Sequence, residues 1–94
     1  MVELNWSEKE GLMTLPQEVT LQSLPLLLKK RSVLKAPVIE VDFSQVKQAD
    51  SAALALLLLW SGNIGKALKV RNMPAELVTL ATLYDLETVL QQAD

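Results

Sequence analysis

Residues 38–64 read VIEVDFSQVKQADSAALALLLLWSGNI, and two patterns in this stretch decide the fold. Between Val38 and Phe43 apolar residues alternate with acidic ones, and this period of two predicts a strand. Pro37 stands just before the strand, where a proline removes no hydrogen bond from a sheet. Ser44–Gln48 is predicted to be a polar connection. The side chains predicted to share one face of the strand are Ile39, Val41 and Phe43.

The second pattern is a helix that begins at Asp50 or Ser51. Each of these residues offers a side-chain oxygen to a free backbone N–H of the first turn. We expect the helix to run to about Ile64 and to end at Gly65. Its apolar run Ala52–Trp60 is nine residues long. A helix needs roughly 20 residues to cross a bilayer, so we expect a buried or partner-facing helix and no membrane span.

This helix is apolar on all sides, so one of its faces is left without an obvious cover. The side chains predicted to face the core are Leu54, Leu57, Leu58 and Ile64. Those predicted on roughly the opposite side are Ala52, Ala55, Leu56 and Leu59. Exposure of a large apolar side chain costs about 1.5–3 kcal/mol. Two interpretations stay open: a neighbouring helix covers the second face, or a partner protein does.

Patterns before residue 37 predict a hairpin and a first helix. Apolar and polar residues alternate over Val2–Ser7, and Leu12–Leu15 is a second apolar run that can return antiparallel to it. A helix is predicted from Ser23, because Pro25 suits a first helical turn. The residues predicted to share one face of this helix are Leu24, Leu27, Leu28 and Leu34.

Patterns after residue 66 predict a further strand and a further helix. Apolar residues alternate with basic ones in Ala67–Asn72, which is typical of a strand. Pro74 begins the next helix, and Glu76 lies in its first turn, where the helix dipole favours an acid. The Leu86–Gln91 segment fits a short helix or a strand. The inward stripe of the helix is predicted to be Leu77, Leu80, Ala81 and Tyr84.

These elements predict one α/β domain over residues 1–94. Two hydrophobic cores would each need at least about 50 residues, so the length of 94 residues fits one core. Parallel strands joined through helices require right-handed crossovers. We therefore expect a mixed four- to five-stranded sheet, with an antiparallel hairpin at one end, parallel strands in its middle and helices packed on it.

Composition excludes several classes of function. Half of the residues are apolar, so the chain folds, and its net charge of −2 disfavours nucleic acid or anionic lipid as a partner. The chain has no His and no Cys. It therefore lacks the usual zinc ligands, a thiol nucleophile, a disulfide and a Ser-His-Asp triad. We expect a binding module with no metal and no cofactor, and not an enzyme.

A basic cluster follows the first predicted helix. Positive charge near a helix C-terminus complements the helix dipole, so a solvated helix end is one interpretation of this cluster. An acidic or phosphate-bearing partner is the other. The residues of the cluster are Lys29, Lys30, Arg31 and Lys35.

Ser51 lies at the start of the apolar helix. A helix N-terminus presents free N–H donors and a partial positive charge, so it tolerates a hydroxyl or an added phosphate. Phosphorylation would add about −1.5 to −2 charges next to Asp50, which would repel an apolar or acidic partner. Ser51 is thus a candidate phospho-acceptor as well as a candidate cap.

Two stretches of the chain resemble the signature of the STAS domain family. Residues 41–46, VDFSQV, match its core strand and loop, and residues 50–54, DSAAL, match its Asp-Ser/Thr-x-Gly-Leu helix start. The leucine run of residues 54–58, the stretch Leu80–Leu86 and the short length are most similar to the small cytoplasmic STAS subunit of the Mla phospholipid ABC transporter. The resemblance covers nearly the whole chain.

The resemblance implies a non-catalytic subunit that docks on the ATPase of an ABC transporter, in a complex with a membrane permease. That transporter moves phospholipid and maintains outer-membrane lipid asymmetry in Gram-negative bacteria. In other members of the family, the anti-sigma-factor antagonists, the residue at the place of Ser51 is phosphorylated. An antagonist switched by serine phosphorylation is therefore the alternative function.

The site implied by the resemblance and by the apolar helix is a partner-binding surface. Leu28 belongs to it by its place on the first predicted helix. Ala53 departs from the family by replacing the signature Gly, and its methyl group weakens the argument for a kinase at Ser51. No signal peptide is visible, so we expect a cytoplasmic protein held at the inner face of the inner membrane by its partner. The predicted partner-binding residues are Ser51, Ala52, Ala55, Leu56, Leu59 and Leu28.

Overall fold

A computed structural model gives the fold and describes residues 4–29 and 31–92. The expected α/β class is confirmed. Val2 and Lys30, which enter the sequence predictions, lie outside the described residues. The strands are β1 (Asn5–Ser7), β2 (Leu12–Thr14), β3 (Glu18–Val19), β4 (Glu40–Asp42), β5 (Gln48–Ala49), β6 (Leu68–Arg71) and β7 (Leu90–Gln92). The helices are α1 (Leu24–Leu27), a 3₁₀ helix (Arg31–Lys35), α2 (Ser51–Ile64) and α3 (Ala75–Leu83).

The main sheet has five strands in the order β1-β2-β4-β6-β7. β1 runs antiparallel to β2, and the other neighbouring strands are parallel. The predicted mixed sheet, with a hairpin at one end, is confirmed. The ambiguous segment near the end of the chain contains a strand, because Leu90 pairs with Leu68 in the β6·β7 register.

β3 and β5 form a second, two-stranded parallel sheet. Glu18 pairs with Gln48, and Val19 pairs with Ala49. The sequence predicts neither strand, because two residues are too few to show a period. The pairing brings the turn before α1 next to the start of α2, since the backbone N–H of Asp50 donates to the Val19 carbonyl at 3.2 Å.

The three α-helices cover one face of the main sheet. The connections β2 to β4, β4 to β6 and β6 to β7 each lead to the next strand in the same direction across the sheet. Because such crossovers are right-handed, the helices in all three connections lie on the same face of the sheet. Burial agrees, because Val41 and Val70 are buried between this face and the helices, in the same core as Trp60 and Phe43. The second face carries side chains that are half-buried or exposed. We call it the open sheet face and define it by Glu40, Asp42, Lys69 and Arg71.

Two residues predicted to point inward are instead exposed. Ile39 is 42% exposed, because Val38 takes the interior position. Ile39 lies over Gly11, where an added Cβ would come within 2.6 Å of the Ile39 Cγ1 atom. Tyr84 is 58% exposed because it caps the C-terminus of α3, where the chain leaves the helix through Asp85 at φ 58°.

The first predicted helix is split in two. α1 ends at Leu27, and the 3₁₀ helix that follows lies against α2. Leu34 therefore does not continue the face of α1, as the helical period predicted. Two side chains of α2 hold the 3₁₀ helix by its backbone: Trp60 Nε1 donates to the Val33 carbonyl at 2.9 Å, and Asn63 Nδ2 donates to the Leu34 carbonyl at 2.6 Å.

Candidate functional site

α2 has the predicted bounds, and its cap is Asp50 rather than Ser51. The backbone of Asp50 is extended, and its Oδ1 accepts a hydrogen bond from the Ala52 N–H at 2.8 Å. The Oδ2 atom accepts from the Leu21 N–H at 3.1 Å. At the other end Gly65, at φ 65°, ends the helix. Asp50 therefore holds both the start of α2 and the turn that precedes α1.

The turn before α1 is held by its own hydrogen bonds. Thr20 and Ser23 are buried, and the Thr20 N–H donates to Ser23 Oγ at 2.9 Å. The Thr20 hydroxyl donates to Glu18 Oε2 at 2.9 Å. These bonds hold Leu21 in a position where it is 64% exposed. An apolar side chain on a turn that is already ordered loses less entropy when another molecule covers it.

Ser51 is the first residue of α2, and it is exposed. Its position beside the Asp50 carboxylate agrees with the prediction of a hydroxyl at the start of the helix. Ala53 is fully buried, so its methyl group fills the core and does not stand between Ser51 and an approaching protein. The substitution of the signature Gly by Ala53 thus gives no steric argument against a kinase.

The side of α2 that reaches solvent differs from the prediction. Ala52 and Leu56, predicted on the open side, are buried, whereas Leu58, predicted in the core, is 44% exposed. The buried arc is wide because α2 contacts the sheet, α3 and the 3₁₀ helix. The first interpretation holds in part, since neighbouring elements cover much of the second side and leave a strip; a partner protein on that strip stays a prediction. We call this strip the α2 face; its residues are Ser51, Ala55, Leu58, Leu59 and Gly62.

The α2 face is uncharged and open along its length. None of the 14 residues of α2 is charged. A helical rise of about 1.5 Å per residue makes the strip about 17 Å long. Leu59 is 38% exposed near its middle. A Cβ added at Gly62 would meet nothing within 4 Å, so the backbone is accessible there. Partner binding through this strip stays a prediction.

The sequence patterns place Leu28 beside the start of α2 and make no prediction for Leu21. Leu28 is the C-cap of α1, is half-buried and packs against the core. Leu21 is the residue of this region that is tied to the start of α2, and the sequence patterns missed it. No local pattern could reveal this link, because the hydrogen bond between Leu21 and Asp50 spans 29 residues.

Comparison with protein families identifies the fold family. The family described as "Mlab, STAS domain" matches residues 2–92, a range that includes both signature stretches. The chain belongs to the STAS domain family. No match was found among curated proteins or among solved structures.

The open sheet face of this STAS domain is charged, and its Glu40, Asp42 and Arg71 side chains have partners. Arg71 Nη2 lies 2.7 Å from Glu40 Oε2. Asp42 accepts hydrogen bonds from Asn72 Nδ2 at 3.1 Å and from the Ser44 backbone N–H and hydroxyl at 2.9 and 3.0 Å. Burial acts to raise the pKa of Asp42, but these hydrogen bonds and the nearby Arg71 guanidinium outweigh it and hold that pKa below its usual value.

The described residues of the STAS domain also show whether a metal centre or a membrane-spanning helix is present among them. Within residues 4–29 and 31–92 of the STAS domain, no three His, Cys, Asp or Glu side chains gather into a group that could hold a metal ion. In the same residues, no helix has both the length and the apolar character that crossing a bilayer needs.

Proposed function

We propose that this STAS domain is a non-catalytic subunit that binds the ATPase of an ABC transporter and supports its assembly and activity. In this proposal the transporter moves phospholipid and maintains outer-membrane lipid asymmetry. The description "Mlab, STAS domain" of the matching family supports it, together with the resemblance of the leucine run to the small Mla subunit. The observation that carries the proposal is the uncharged, apolar α2 face.

The chemistry of the α2 face suits a stable protein partner. Leu58 and Leu59 are partly exposed in its middle, and Leu21 is exposed on the turn tied to the start of α2. Burial of apolar surface contributes about 25 cal/mol per Å². Because α2 has no charged side chain, contact with a partner removes no charge of α2 from water. A partner that covers the strip gains hydrophobic burial without that opposing cost.

The proposed subunit catalyses no reaction of its own. The lack of His and Cys, which carry much of enzyme chemistry, supports this role. The ATPase, bound to its membrane permease, would hold the domain in the cytoplasm at the inner face of the inner membrane. The α2 face then serves assembly, and the chemistry stays in the ATPase.

Co-purification with the ATPase and permease from the native host tests the proposal. Leu59→Lys places a charge in the α2 face, and we expect binding to the ATPase to weaken by about 100-fold or more, because an unpaired charge would be buried in the interface. Leu83→Lys is the matched control. Leu83 is 70% exposed on α3, so the same change there should leave the complex intact.

Three outcomes of this experiment contradict the proposal. Failure of the wild-type chain to bind any ABC transporter ATPase removes the proposed partner. Survival of the complex after Leu59→Lys, or equal loss after Leu83→Lys, removes the α2 face as the docking surface. Circular dichroism of each variant shows that it is folded before its binding is compared.

The second candidate is an anti-sigma-factor antagonist switched by phosphorylation of Ser51. The exposure of Ser51 at the N-terminus of α2 supports it, as does the buried methyl group of Ala53. A serine kinase encoded by a gene next to that of this protein should then transfer one phosphate to the wild type and none to Ser51→Ala. A kinase reaction that leaves the wild type unmodified, with no binding to an anti-sigma factor, contradicts this function.

A further inference from the structure

The segment of residues 19–39 carries a charge opposite to that of the rest of the chain. It contains four of the nine basic residues and none of the eleven acidic residues, so its net charge is +4. The chain as a whole has a net charge of −2, so the remaining residues sum to −6. A surface on which charges of one sign are concentrated favours partners that carry the opposite charge at the place of contact.

Two lysines of this segment are available for contact with another molecule. Lys29 follows α1, and Lys35 ends the 3₁₀ helix; both are exposed. In the part of the chain that the structure describes, neither has an acidic side chain within ion-pair distance. Arg71, by contrast, is paired with Glu40 on the open sheet face. We call Lys29 and Lys35 the basic flank.

The segment that carries the basic flank is attached to α2 near both of its ends. Near the N-terminus of α2, the Leu21 N–H donates to Asp50. Toward the C-terminus, Trp60 and Asn63 donate to carbonyls of the 3₁₀ helix. Leu26, between these attachments, is 61% exposed. A molecule that covers the α2 face therefore has this segment close by at both ends of the strip, at Asp50 and at Asn63, whose partner Leu34 precedes Lys35.

We propose that the protein partner of the α2 face carries an acidic patch that forms ion pairs with Lys29 and Lys35. The identity of the partner as an ABC transporter ATPase rests on the proposed function. A protein suits this surface better than an anionic membrane does, because the residues outside the segment carry a net charge of −6 and an anionic lipid surface would repel them. The acidic patch sets orientation and the rate of association, while the α2 face supplies hydrophobic burial.

The first test measures binding to the ATPase that co-purifies with the wild-type chain. At 0.05 M salt, Lys29→Glu and Lys35→Glu should each raise the Kd about 5-fold, because each turns an attraction into a repulsion. At 0.5 M salt the difference from wild type should fall below about 2-fold, since screening shortens the range of these forces. Lys9→Glu, in the exposed turn between β1 and β2, makes the same charge change elsewhere and should leave the Kd unchanged.

If Lys29→Glu, Lys35→Glu and Lys9→Glu all bind the ATPase with the same Kd, the proposal of an acidic patch on the partner is overturned. If Leu59→Lys still weakens binding by about 100-fold or more in that case, the proposed function stands without the patch. A second measurement does not depend on the ATPase: the ¹⁵N-labelled chain is titrated with a hexaglutamate peptide. The amides of Lys29 and Lys35 should shift and that of Lys9 should not; uniform shifts, or none, overturn the patch.

Vesicles distinguish a protein partner from a membrane. The wild-type chain should not sediment with phosphatidylglycerol vesicles. The proposal is overturned in favour of anionic lipid if the wild-type chain sediments with the vesicles and Lys29→Glu and Lys35→Glu prevent this, while the same two variants bind the ATPase as wild type does. If hexaglutamate shifts the flank but no ATPase binds, the basic flank stands as an acidic-protein site and the proposed partner fails.

Discussion

The α2 face and the open sheet face both reach solvent, but their side chains meet it in different ways. The open sheet face is charged, and three of its four defining side chains have partners: Glu40 and Arg71 form an ion pair, and Asp42 accepts hydrogen bonds. The α2 face has no charge and leaves Leu58 and Leu59 partly exposed. A paired, hydrated face gains little from a partner, whereas exposed leucines gain from burial. Exposure alone therefore does not identify a binding surface.

The largest expected effect tests where the α2 face ends. Leu56 is buried and Ala55, its neighbour in sequence, is exposed. Leu56→Lys should destabilise the fold by about 4 kcal/mol or prevent folding, because it buries an ammonium group without a partner. Ala55→Lys should change stability by less than about 0.5 kcal/mol, since lysine is a good helix former. Chemical denaturation followed by circular dichroism measures both, and equal stabilities would show that the boundary is misplaced.

A smaller effect is expected where the α2 face is anchored. Asp50→Ala removes the cap of α2 and leaves the Leu21 N–H without its acceptor, a loss of about 2 kcal/mol in the free energy of unfolding. Asp50→Asn keeps a side-chain oxygen and should lose clearly less. Ser51→Ala should be nearly neutral because Ser51 is not the cap. A larger loss for Ser51→Ala than for Asp50→Ala would reverse these roles.

The smallest effect is expected on the open sheet face and depends on pH. Folding lowers the pKa of Asp42 from its ordinary 3.8, so its carboxylate stabilises the fold above that pH. This contribution is lost as the pH falls through the lower pKa of the folded state. Wild type should be more stable than Asp42→Asn at neutral pH, and the gap should close in acid. Unfolding curves at a series of pH values measure this difference in stability between wild type and Asp42→Asn. A difference that grows below pH 3.8 would contradict the lowered pKa of Asp42.

The elements around α2 could be predicted because their signals are long or chemically distinct. α2 combines a continuous apolar run with an acid at its start and Gly65 at its end, and both ends were predicted correctly. β4 and β6 show a period of two, and their buried residues include Val41 and Val70 as expected. β3 and β5 have two residues each and form only through pairing between distant parts of the chain.

The candidate site could be predicted only in part, because α2 is apolar on every side. Without a polar stripe, a helical period gives relative directions but does not mark which direction meets water. Ser51, Ala55 and Leu59 are exposed as predicted, whereas the prediction is wrong for Ala52 and Leu56, which are buried, and for Leu58, which is exposed. Their places depend on the 3₁₀ helix and α3, whose positions arise from tertiary contacts.

The open space above Gly62 also makes the chain convenient to label. Gly62 lies on α2 with ordinary helical geometry, and a side chain there would meet no neighbouring atom within 4 Å. The chain contains no cysteine, so Gly62→Cys would create a single thiol. A fluorophore or nitroxide attached to it would sit at one end of the strip, where its emission or mobility would follow the arrival and departure of a bound protein.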